Sequence, residues 1–537
     1  MKRIKGFRKR LVGTYGLLGA LLFTIAVACS IIALVGVAAA AEADGGAYAF
    51  SGFRLVGDVL FPDETFADLF SSYTDRLITF SELETLVTRV EDEYHRRGYT
   101  LAIAFLPEQE VTDGVVDIGV LAGRYGDVRW ENESRLRTSV AQRALRGIVI
   151  GEPVYMPALD GRIAVLESLP GVSAESAFVA GAGTGETDLI VHLLDASPME
   201  GSVSIALTGP DLWRDRSISG QVTWNNPTGR GDQTSFSIST NGRTTAGVQL
   251  GYELPIGAGL ESRLASSARV SRYRLDGVFA GLGGGGSDGL TIALERSWSS
   301  LADASIEGRL ELGYRRNFED IADLFSSTTY TTVEASLEWR RASSRASGLH
   351  MARIGIKGGN LALGTDQQED ADDLTAQTSG LYGVVRGEAT WTAAAGPGRL
   401  SVDLTGQWAT KNLGLAEKFS IMGRSGVRAL ASGRSSGDDG WRLQASYVHS
   451  QVEAGDLPGY VQYFGFLDAG SVTYHKRPWD ASGVGGRFVY GAGVGLRWAV
   501  SEQLTLEAHQ GWLLGDSAGQ QGTGLPGPLR VDLSYSF

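Results

Sequence analysis

The chain ends in "LRVDLSYSF", residues 529–537, and this stretch decides the fold class. Its odd-numbered residues are all apolar and include Tyr535 and Phe537, whereas its even-numbered residues are Arg, Asp and Ser. Because successive side chains of a strand point to opposite faces, one face of this strand suits lipid and the other suits a wet interior. A strand of a soluble sandwich would also alternate. A chain that stops on an aromatic residue nevertheless favours an outer-membrane β-barrel, in which Phe537 and Tyr535 form the C-terminal assembly signal.

Working back from this strand, the same alternation recurs as far as Gly201, in segments of about ten residues separated by Gly, Asn, Asp and Pro. The pattern predicts an antiparallel transmembrane β-barrel over residues 201–537, with sixteen strands that could enclose a water-filled channel. An even number of strands places both barrel ends on the periplasmic side. Long connections then face the outside, and short turns face the periplasm. The strands are expected near residues 201–207, 216–225, 233–241, 245–254, 259–270, 288–297, 304–314, 328–340, 348–360, 380–394, 399–410, 440–450, 458–467, 485–498, 503–511 and 529–537.

Three motifs in the predicted connections lack the spacing of a ligand site. The acidic stretch "TDQQEDADD", residues 365–373, does not have the spacing of a calcium loop and is interpreted as a solvated external loop. "GLGGGGSDG", residues 281–289, has no lysine after its glycines and follows no βαβ unit, so it is placed in another long external loop rather than in a phosphate site. "GRGD", residues 229–232, falls in the first periplasmic turn, where a cell-adhesion role is excluded.

Before the barrel, residues 50–124 and 125–196 each predict a small α/β module with the order strand, helix, helix, strand, strand. In the first module, Thr79 and Glu82 have capping-box spacing, and Gly98 stands where a helix C-cap glycine belongs. The helix between them carries one apolar stripe, formed by Leu83, Leu86, Val87, Val90 and Tyr94. Neither module has catalytic spacing, but each offers a sheet edge to which an extended peptide can add as a strand.

The composition excludes several classes of function. The net charge of −13 and the pI near 5.1 argue against a nucleic-acid partner. The one cysteine, Cys29, lies in a segment that is expected to be removed, so the mature chain has no disulfide. Six scattered histidines show no zinc-ligand spacing. We therefore expect no metal, no cofactor and no catalytic residues, and the protein is predicted not to be an enzyme.

The N-terminus has a basic start, a long apolar run and the small-residue stretch "VAAAAEA", which together predict a signal peptide over residues 1–41. A retained inner-membrane anchor is the alternative interpretation of the same run, and a lipidated Cys29 is a third. In each case the remainder is exported. No run of eighteen apolar residues follows residue 50, so any crossing of the membrane would be by a closed barrel.

The order of these segments resembles that of the two-partner secretion transporters (TpsB), the haemolysin activation/secretion proteins of the ShlB/FhaC/HecB type. "LITFSELETLVTRVEDEYHRRGYTLAIAFLPEQEVTDGVVDIGVLAGR" is similar to the family's first POTRA domain of ShlB type, and "SLPGVSAESAFVAGAGTGETDLIV" to its second. "WNNPTGRGDQTSFSIS", "SRYRLDG" and "LERSW" resemble early barrel segments. "EKFSIMGRSGVRALASGRSSGDDGW" resembles the sixth external loop, and "FGFLDAGSV" resembles the FxDxG motif of a later strand.

The resemblance implies a contact between the tip of a loop inside the pore and the barrel wall, which we call the pore-loop lock. The family's sixth loop folds back into the pore and carries a Val-Arg-Gly-Tyr tip, whose valine and arginine match Val427 and Arg428. The FxDxG motif falls on Phe466, Asp468 and Gly470, and its aspartate would hold the arginine. The glycine and tyrosine of the tip are replaced here by alanine and leucine. With cleavage near Ala41, about eight residues precede the first module, which leaves no room for the plug helix of many relatives.

The resemblance also implies the function: a large exoprotein is captured by the periplasmic POTRA domains and secreted unfolded through the barrel. The alternatives are a barrel-assembly insertase of the same superfamily and a porin-like channel. The expected location is the outer membrane of a Gram-negative bacterium, with the POTRA domains in the periplasm. The expected partners are the exoprotein's N-terminal secretion domain, outer-membrane lipid and the barrel-assembly machinery, and the protein is expected to be a monomer.

Overall fold

The computed structural model describes residues 47–537 apart from short gaps. These gaps are residues 112, 210–215, 302–303, 323, 344–347, 424, 432, 450, 454–457, 480–484 and 524–526. The predicted signal peptide, residues 1–41, lies outside the described residues.

By their packing, the described residues form two units. The first runs to Asp127 and also includes Val149–Pro157 and Ala180–Thr187. The second consists of Val128–Ile148, Ala158–Val179 and Asp188–Phe537. Residues of the second predicted module therefore belong partly to the first unit and partly to the second.

The first predicted module contains short strands and two α-helices. Its elements are β1 (Tyr48–Ala49), β2 (Gly52–Gly57), a 3-10 turn (Asp63–Thr65), α1 (Ala67–Ser71), β3 (Leu77–Ile78), α2 (Phe80–Arg96), β4 (Ile103–Phe105) and β5 (Val115–Leu121). β5 is the central strand of a three-stranded sheet, with β2 parallel on one side and β4 antiparallel on the other. β4 therefore forms one edge of this sheet.

Helix α2 forms where the sequence predicts it, for the predicted reasons. The Thr79 hydroxyl accepts from the backbone N–H of Glu82, and the Glu82 carboxylate accepts from the N–H of Thr79 at 2.8 Å. Gly98 follows the helix with a φ of 95°, a conformation that favours glycine. The predicted stripe from Leu83 to Tyr94 is buried and packs on the sheet, which orients the helix.

An ion pair at the end of the first module involves Asp58 and Arg124. The Asp58 carboxylate accepts from Arg124 Nε at 3.1 Å and from the N–H of Ala122 at 3.0 Å. Burial alone would raise the pKa of Asp58, but these donors outweigh it and hold the pKa below its ordinary value. A carboxyl whose pKa is depressed by folding stabilises the fold above its unfolded pKa, and this contribution is lost as the pH falls through the folded value.

The second predicted module has two helices and a three-stranded sheet. Its elements are β6 (Arg124–Asn132), α3 (Thr138–Ala144), α4 (Met156–Glu167), β7 (Val172–Ala180) and β8 (Glu186–Asp195). The order of its sheet is β6, β8, β7, so β8 is central. Alternate residues of β8, including Leu189, Val191 and Leu193, are fully buried, as expected for a strand that presents one face to a core.

The remainder forms a closed antiparallel barrel of sixteen strands, which confirms the predicted fold class. Its strands are β9 (Met199–Thr208), β10 (Arg216–Asn225), β11 (Gln233–Thr240), β12 (Thr245–Ile256), β13 (Ser262–Arg274), β14 (Gly283–Leu301), β15 (Ala304–Ile321), β16 (Leu324–Ser343), β17 (Gly348–Leu363), β18 (Gly380–Ala395), β19 (Gly398–Ala409), β22 (Asp439–His449), β24 (Tyr460–Thr473), β25 (Gly486–Ala499), β26 (Leu504–Asp516) and β27 (Arg530–Ser536). Three two-residue strands accompany them: β20 (Phe419–Ser420), β21 (Ser436–Gly437) and β23 (Val452–Glu453). β20 and β21 pair with each other, and β23 pairs with β24.

The alternation of side chains along these strands agrees with a barrel that has lipid outside. On β14, Leu290, Ile292 and Leu294 are about half exposed and share one face, whereas Glu295 faces the other way and pairs with Arg309 of β15. Apolar residues on the outside and paired charges on the inside are what a wet lumen and a lipid exterior require.

Two predicted loops contain regular structure. Glycines 283–286, expected in an external loop, begin β14, since the long strands β14–β16 continue past the predicted external boundary. A Cβ on Gly283 would lie 1.9 Å from the carbonyl oxygen of Asp320, so only glycine permits this strand pairing. The acidic stretch 365–373, expected to be a solvated external loop, contains the short helix α5 (Asp366–Asp373), which the Thr365 hydroxyl caps by accepting from the Gln368 N–H.

The described helices include none that is both long and apolar enough to cross a membrane.

The capping box of α2 gives a stability prediction. Thr79→Ala removes the oxygen that accepts from the Glu82 N–H, which costs about 1 kcal/mol. Hydrogen exchange of the full-length protein in detergent should therefore be about fivefold faster for the amides in the first turn of α2. Ser81→Ala, at the exposed neighbouring position, is the matched control and should leave exchange unchanged. Equal rates in the two variants would contradict the capping assignment.

Candidate functional site

Residues 410–438 connect β19 to β22, and we call them the inner loop. The loop contains a 3-10 turn (Leu415–Glu417) and the two strands of the β20–β21 ribbon. One arm reaches Arg315, Lys357 and Arg386 on β15, β17 and β18, and the tip reaches Asp468 on β24. These residues face the lumen, and β16, β17, β18, β19 and β22 stand between β15 and β24 around the barrel. The inner loop therefore runs through the barrel interior.

The structure brings Arg428 of the loop tip together with Asp468 of the barrel wall. The guanidinium donates from Nη2 to Oδ1 at 2.7 Å and from Nε to Oδ2 at 2.9 Å. The backbone N–H of Arg428 donates to Oδ2 at 2.8 Å, and Nη2 also donates to the hydroxyl of Ser446 at 3.1 Å. The Asp468 side chain is completely buried. Two parallel charge-assisted hydrogen bonds fix both the distance and the orientation of the pair.

Phe466 supports this pair from the same strand as Asp468. The Arg428 guanidinium lies 3.8 Å from the centroid of the Phe466 ring, a cation–π contact. The ring in turn covers Gly493 of β25, where an added Cβ would lie 2.1 Å from the ring. His509 of β26 contacts the ring edge-on at 5.9 Å. A glycine on the neighbouring strand therefore makes room for the aromatic platform beneath the arginine.

The residues on either side of Arg428 are buried in an apolar cluster. Val427 and Ala429 are completely buried, and Leu430 is nearly so. They pack together with Phe419, Ile421, Val472, Tyr474, Val489 and Leu513. Gly470, the last residue of the predicted site, contacts Ile421 of the loop rather than Arg428, since an added Cβ would lie 3.0 Å from that side chain.

Ala429 lies against a wall made of glycines. Added Cβ atoms on Gly491, Gly511 and Gly527 would all come within about 3 Å of Ala429 atoms. The alanine that replaces the glycine of the family tip is therefore accommodated by small residues on β25, β26 and the connection that follows β26. The leucine that replaces the tyrosine contributes to the apolar cluster described above.

A second group of charges holds the first arm of the inner loop, and sequence reasoning missed it. Glu417 is nearly fully buried and is approached by Arg315, by Lys357 Nζ at 3.3 Å and by Arg386 Nη2 at 3.5 Å. The three cations come from three strands that are far apart in sequence, and no spacing signals their convergence. In the sequence, Glu417 stands beside Lys418 in "EKFSIM", and this short stretch does not mark it as a buried charge.

Two further buried carboxylates hold the segments around the loop. Asp438 accepts from the N–H of Leu413 at 3.1 Å, from the N–H of Lys476 at 2.8 Å and from the Lys418 ammonium. Arg487 and Asp516, both with completely buried side chains, form a bidentate pair at 2.8 and 3.0 Å between β25 and β26. The loop is thus fixed along its length by ion pairs to the wall and to neighbouring connections.

The two aromatic residues of the predicted assembly signal lie at the seam where the barrel closes. β27 pairs with β9, and Phe537 and Gly201 exchange two backbone hydrogen bonds of 2.9 Å. The Phe537 ring covers Gly201, where an added Cβ would lie 2.4 Å from it. Tyr535 and Phe537 stack with their centroids 6.3 Å apart, and both rings remain about half exposed.

Within the part of the chain that the structure describes, no group of three or more His, Cys, Asp and Glu side chains could hold a metal ion.

Small modules with the POTRA arrangement of strands and helices, followed by a sixteen-stranded barrel with a folded-in loop, define a class of outer-membrane barrel proteins with periplasmic modules. The family described as haemolysin secretion/activation protein ShlB/FhaC/HecB matches residues 185–498, and the ShlB-type POTRA domain matches residues 48–123. The chain belongs to this family of two-partner secretion transporters. The protein is an outer-membrane transporter whose POTRA domains lie in the periplasm, and its family exports a partner exoprotein.

Two similar proteins are transporters by name, as the family assignment predicts. The chain is 24% identical over 398 residues to the "Heme/hemopexin transporter protein HuxB" of Haemophilus influenzae (strain 86-028NP), covering 71% of this chain and 68% of the relative. It is 24% identical over 496 residues to the "Outer membrane transporter CdiB" of Dickeya dadantii (strain 3937), covering 87% and 83%.

Solved structures show the same fold. CdiB from Escherichia coli superimposes with a TM-score of 0.71 at 18% identity, covering 93% of this chain and 92% of that chain. BamA from Haemophilus ducreyi lacking POTRA domains 1–3 superimposes with a TM-score of 0.54 at 15% identity, covering 91% and 100%. The insertase alternative thus shares the fold, but the sequence family favours secretion.

Proposed function

We propose that this protein captures one large exoprotein at its periplasmic modules and passes it, unfolded, through the barrel, with the inner loop as the element that must move. The observation that carries the proposal is the buried Arg428–Asp468 pair, which joins the tip of the loop to the wall. In this proposal residues 1–41 are a signal peptide, 50–124 and 125–196 are the two POTRA domains, and 201–537 are the barrel. Tyr535 and Phe537 are the signal read by the barrel-assembly machinery.

The energetics of the pair suit a lock. Removing one partner of a buried ion pair leaves the other unpaired and typically costs about 3–5 kcal/mol. In this wet barrel, water can solvate both charges when the loop swings out, so opening is less costly than deletion of one partner. Val427, Phe466 and Gly470 complete the lock in this proposal: Val427 anchors the tip in the apolar cluster, Phe466 stacks on Arg428, and Gly470 leaves room for Ile421.

Strand β4 of the first module is the proposed edge for capture. Its Ile103 and Phe105 side chains are exposed although both are large and apolar. The N–H of Ala104 between them points away from β5 and donates to the Glu91 carboxylate of α2 at 3.0 Å. An incoming strand would take over this donor with a backbone carbonyl, which is how extended peptides add to a sheet edge. The opposite edge, β2, has no large apolar side chain exposed to this extent.

Covalent chemistry has no part in this proposal. The exported chain, outer-membrane lipid and the assembly machinery are the proposed partners, and the transporter acts as a monomer. The exoprotein is best sought in the reading frame next to this gene, as a long, repetitive, β-rich chain with its own signal peptide.

The lock predicts a graded loss of export. Arg428→Ala should lower secretion of the neighbouring exoprotein at least tenfold, because both side-chain hydrogen bonds to Asp468 are lost. Arg428→Lys should give an intermediate level, since an ammonium keeps the charge but not the bidentate geometry. Secreted protein is measured by immunoblotting of the medium, and heat-modifiable migration verifies that the barrel is assembled. Arg243→Ala, which removes an exposed ion pair with Asp276, is the control and should secrete normally. Normal export by Arg428→Ala would refute the lock.

The capture edge predicts a different phenotype. Ala104→Pro removes the outward-pointing donor and leaves the β4–β5 ladder intact, because the Ala104 N–H does not take part in that ladder. We expect export to fall severalfold while the conductance of the purified barrel is unchanged. Ala104→Ser keeps the donor and is the matched control. If both variants secrete equally, the client does not add to this edge.

A further inference from the structure

A shallow furrow lies on the lipid-facing side of β14–β17, near their periplasmic ends. The strand register places the outward-facing residues in rows across the four strands. One row is Leu294, Leu310, Ala335 and Ile356, the next is Arg296, Gly308, Leu337 and Ile354, and the third is Trp298, Ile306, Trp339 and Ala352. Gly308 and Ala335 are small residues among large ones, so the surface is depressed at these two positions.

The depression has the size of a ligand site. Its volume is about 470 Å³, within the range of ~300–1,000 Å³ that is usual for small-molecule pockets. Its walls are apolar and exposed, with Leu337, Ile354 and Ile356 all more than half accessible. The Trp298 ring lies over Gly308, where an added Cβ would be 2.9 Å from the indole. A long, flexible apolar chain fits such a furrow.

A cation stands at the periplasmic end of the furrow. Arg296 follows Leu290, Ile292 and Leu294 on the same outward face of β14, so it lies where the apolar band of the barrel ends. Its guanidinium is half exposed and 5.7 Å from the centroid of the Trp298 ring. Tryptophan and arginine side by side at this depth are typical of the level of lipid headgroups.

The charge balance around Arg296 is positive. Its nearest acidic partner is Glu261, at 3.9 Å, in the turn between β12 and β13. Glu261 is already engaged, since its Oε2 accepts from the N–H of Gly259 at 2.8 Å. A second cation, Arg162, lies beside Gly259 in the same area. Two guanidinium groups against one carboxylate leave one positive charge for an anion.

We propose that this furrow binds one anionic phospholipid of the inner leaflet, with an acyl chain over Gly308 and Ala335 and the phosphate on Arg296. A guanidinium is suited to bidentate hydrogen bonding with a phosphate, and the furrow accounts for the chain attached to it. The lipid would anchor the long strands β14–β16 beside the turn that carries Glu261. This site is independent of the inner loop and of the capture edge.

The test uses the full-length protein in mild detergent, with phosphatidylglycerol and phosphatidylcholine of identical acyl chains as probes. Native mass spectrometry measures how much of each lipid stays bound. We expect one phosphatidylglycerol to bind about tenfold more tightly than phosphatidylcholine. Both lipids offer a phosphate to Arg296, but the quaternary ammonium of phosphatidylcholine cancels its net charge and is repelled by the guanidinium groups. Arg296→Gln should lose about tenfold in affinity for phosphatidylglycerol, and Arg243→Gln on the outer side should lose nothing.

Gly308→Val tests the furrow separately from the charge, since the added side chain meets the Trp298 ring and fills the depression. We expect it to lower retention of phosphatidylglycerol severalfold while Arg296 is intact. Equal retention of the two lipids by the wild type would show non-specific annular contact and overturn the proposal. Retention by Arg296→Gln equal to that of Arg243→Gln would overturn it as well, as would undiminished binding to Gly308→Val.

Discussion

A carboxylate buried in a barrel wall needs a cation, and Arg428 at the tip of the inner loop supplies one to Asp468. Arg428 supplies three of the hydrogen bonds to this group, two from its side chain and one from its backbone. Because an unpaired charge at this position would be costly, the buried carboxylate of the wall requires the inner loop to be in place. The loop is therefore part of the folded barrel rather than an appendage of it.

The wall is adapted to this contact by residues that lack side chains. Gly493 makes room for Phe466, which carries the guanidinium, and Gly491 and Gly511 make room for Ala429 beside it. A β-barrel of this size would otherwise have a wet interior, and a loop folded into it must replace water at each polar group it covers. The ion pairs of Glu417 and Asp438 do this for the arm of the loop, and the apolar cluster around Val427 and Leu430 does it for the tip. The inner loop is thus held inside the barrel by a combination of charge pairing and close packing.

Much of the fold could be predicted because it depends on short-range patterns. Alternation along each strand predicted all sixteen strands, and capping and periodicity predicted α2. The strand ends were harder, since Gly283–Gly286 look like a loop and form a strand because they pair with residues 318–321 of β15. The Arg428–Asp468 pair was predicted through a resemblance that carries long-range information. The Glu417 cluster and the glycine wall around Ala429 had no such guide, because the residues that form them come from several strands and share no spacing.

The Arg428–Asp468 pair holds the tip of the inner loop against the barrel wall. Single-channel recording in planar bilayers tests it most directly, by comparing the wild type with Asp468→Asn, which keeps the size of the side chain but removes its charge. We expect a small or silent conductance for the wild type and larger, fluctuating openings for Asp468→Asn, as the loop leaves the lumen part of the time. Identical conductance of the two proteins, with both barrels correctly assembled, would contradict it.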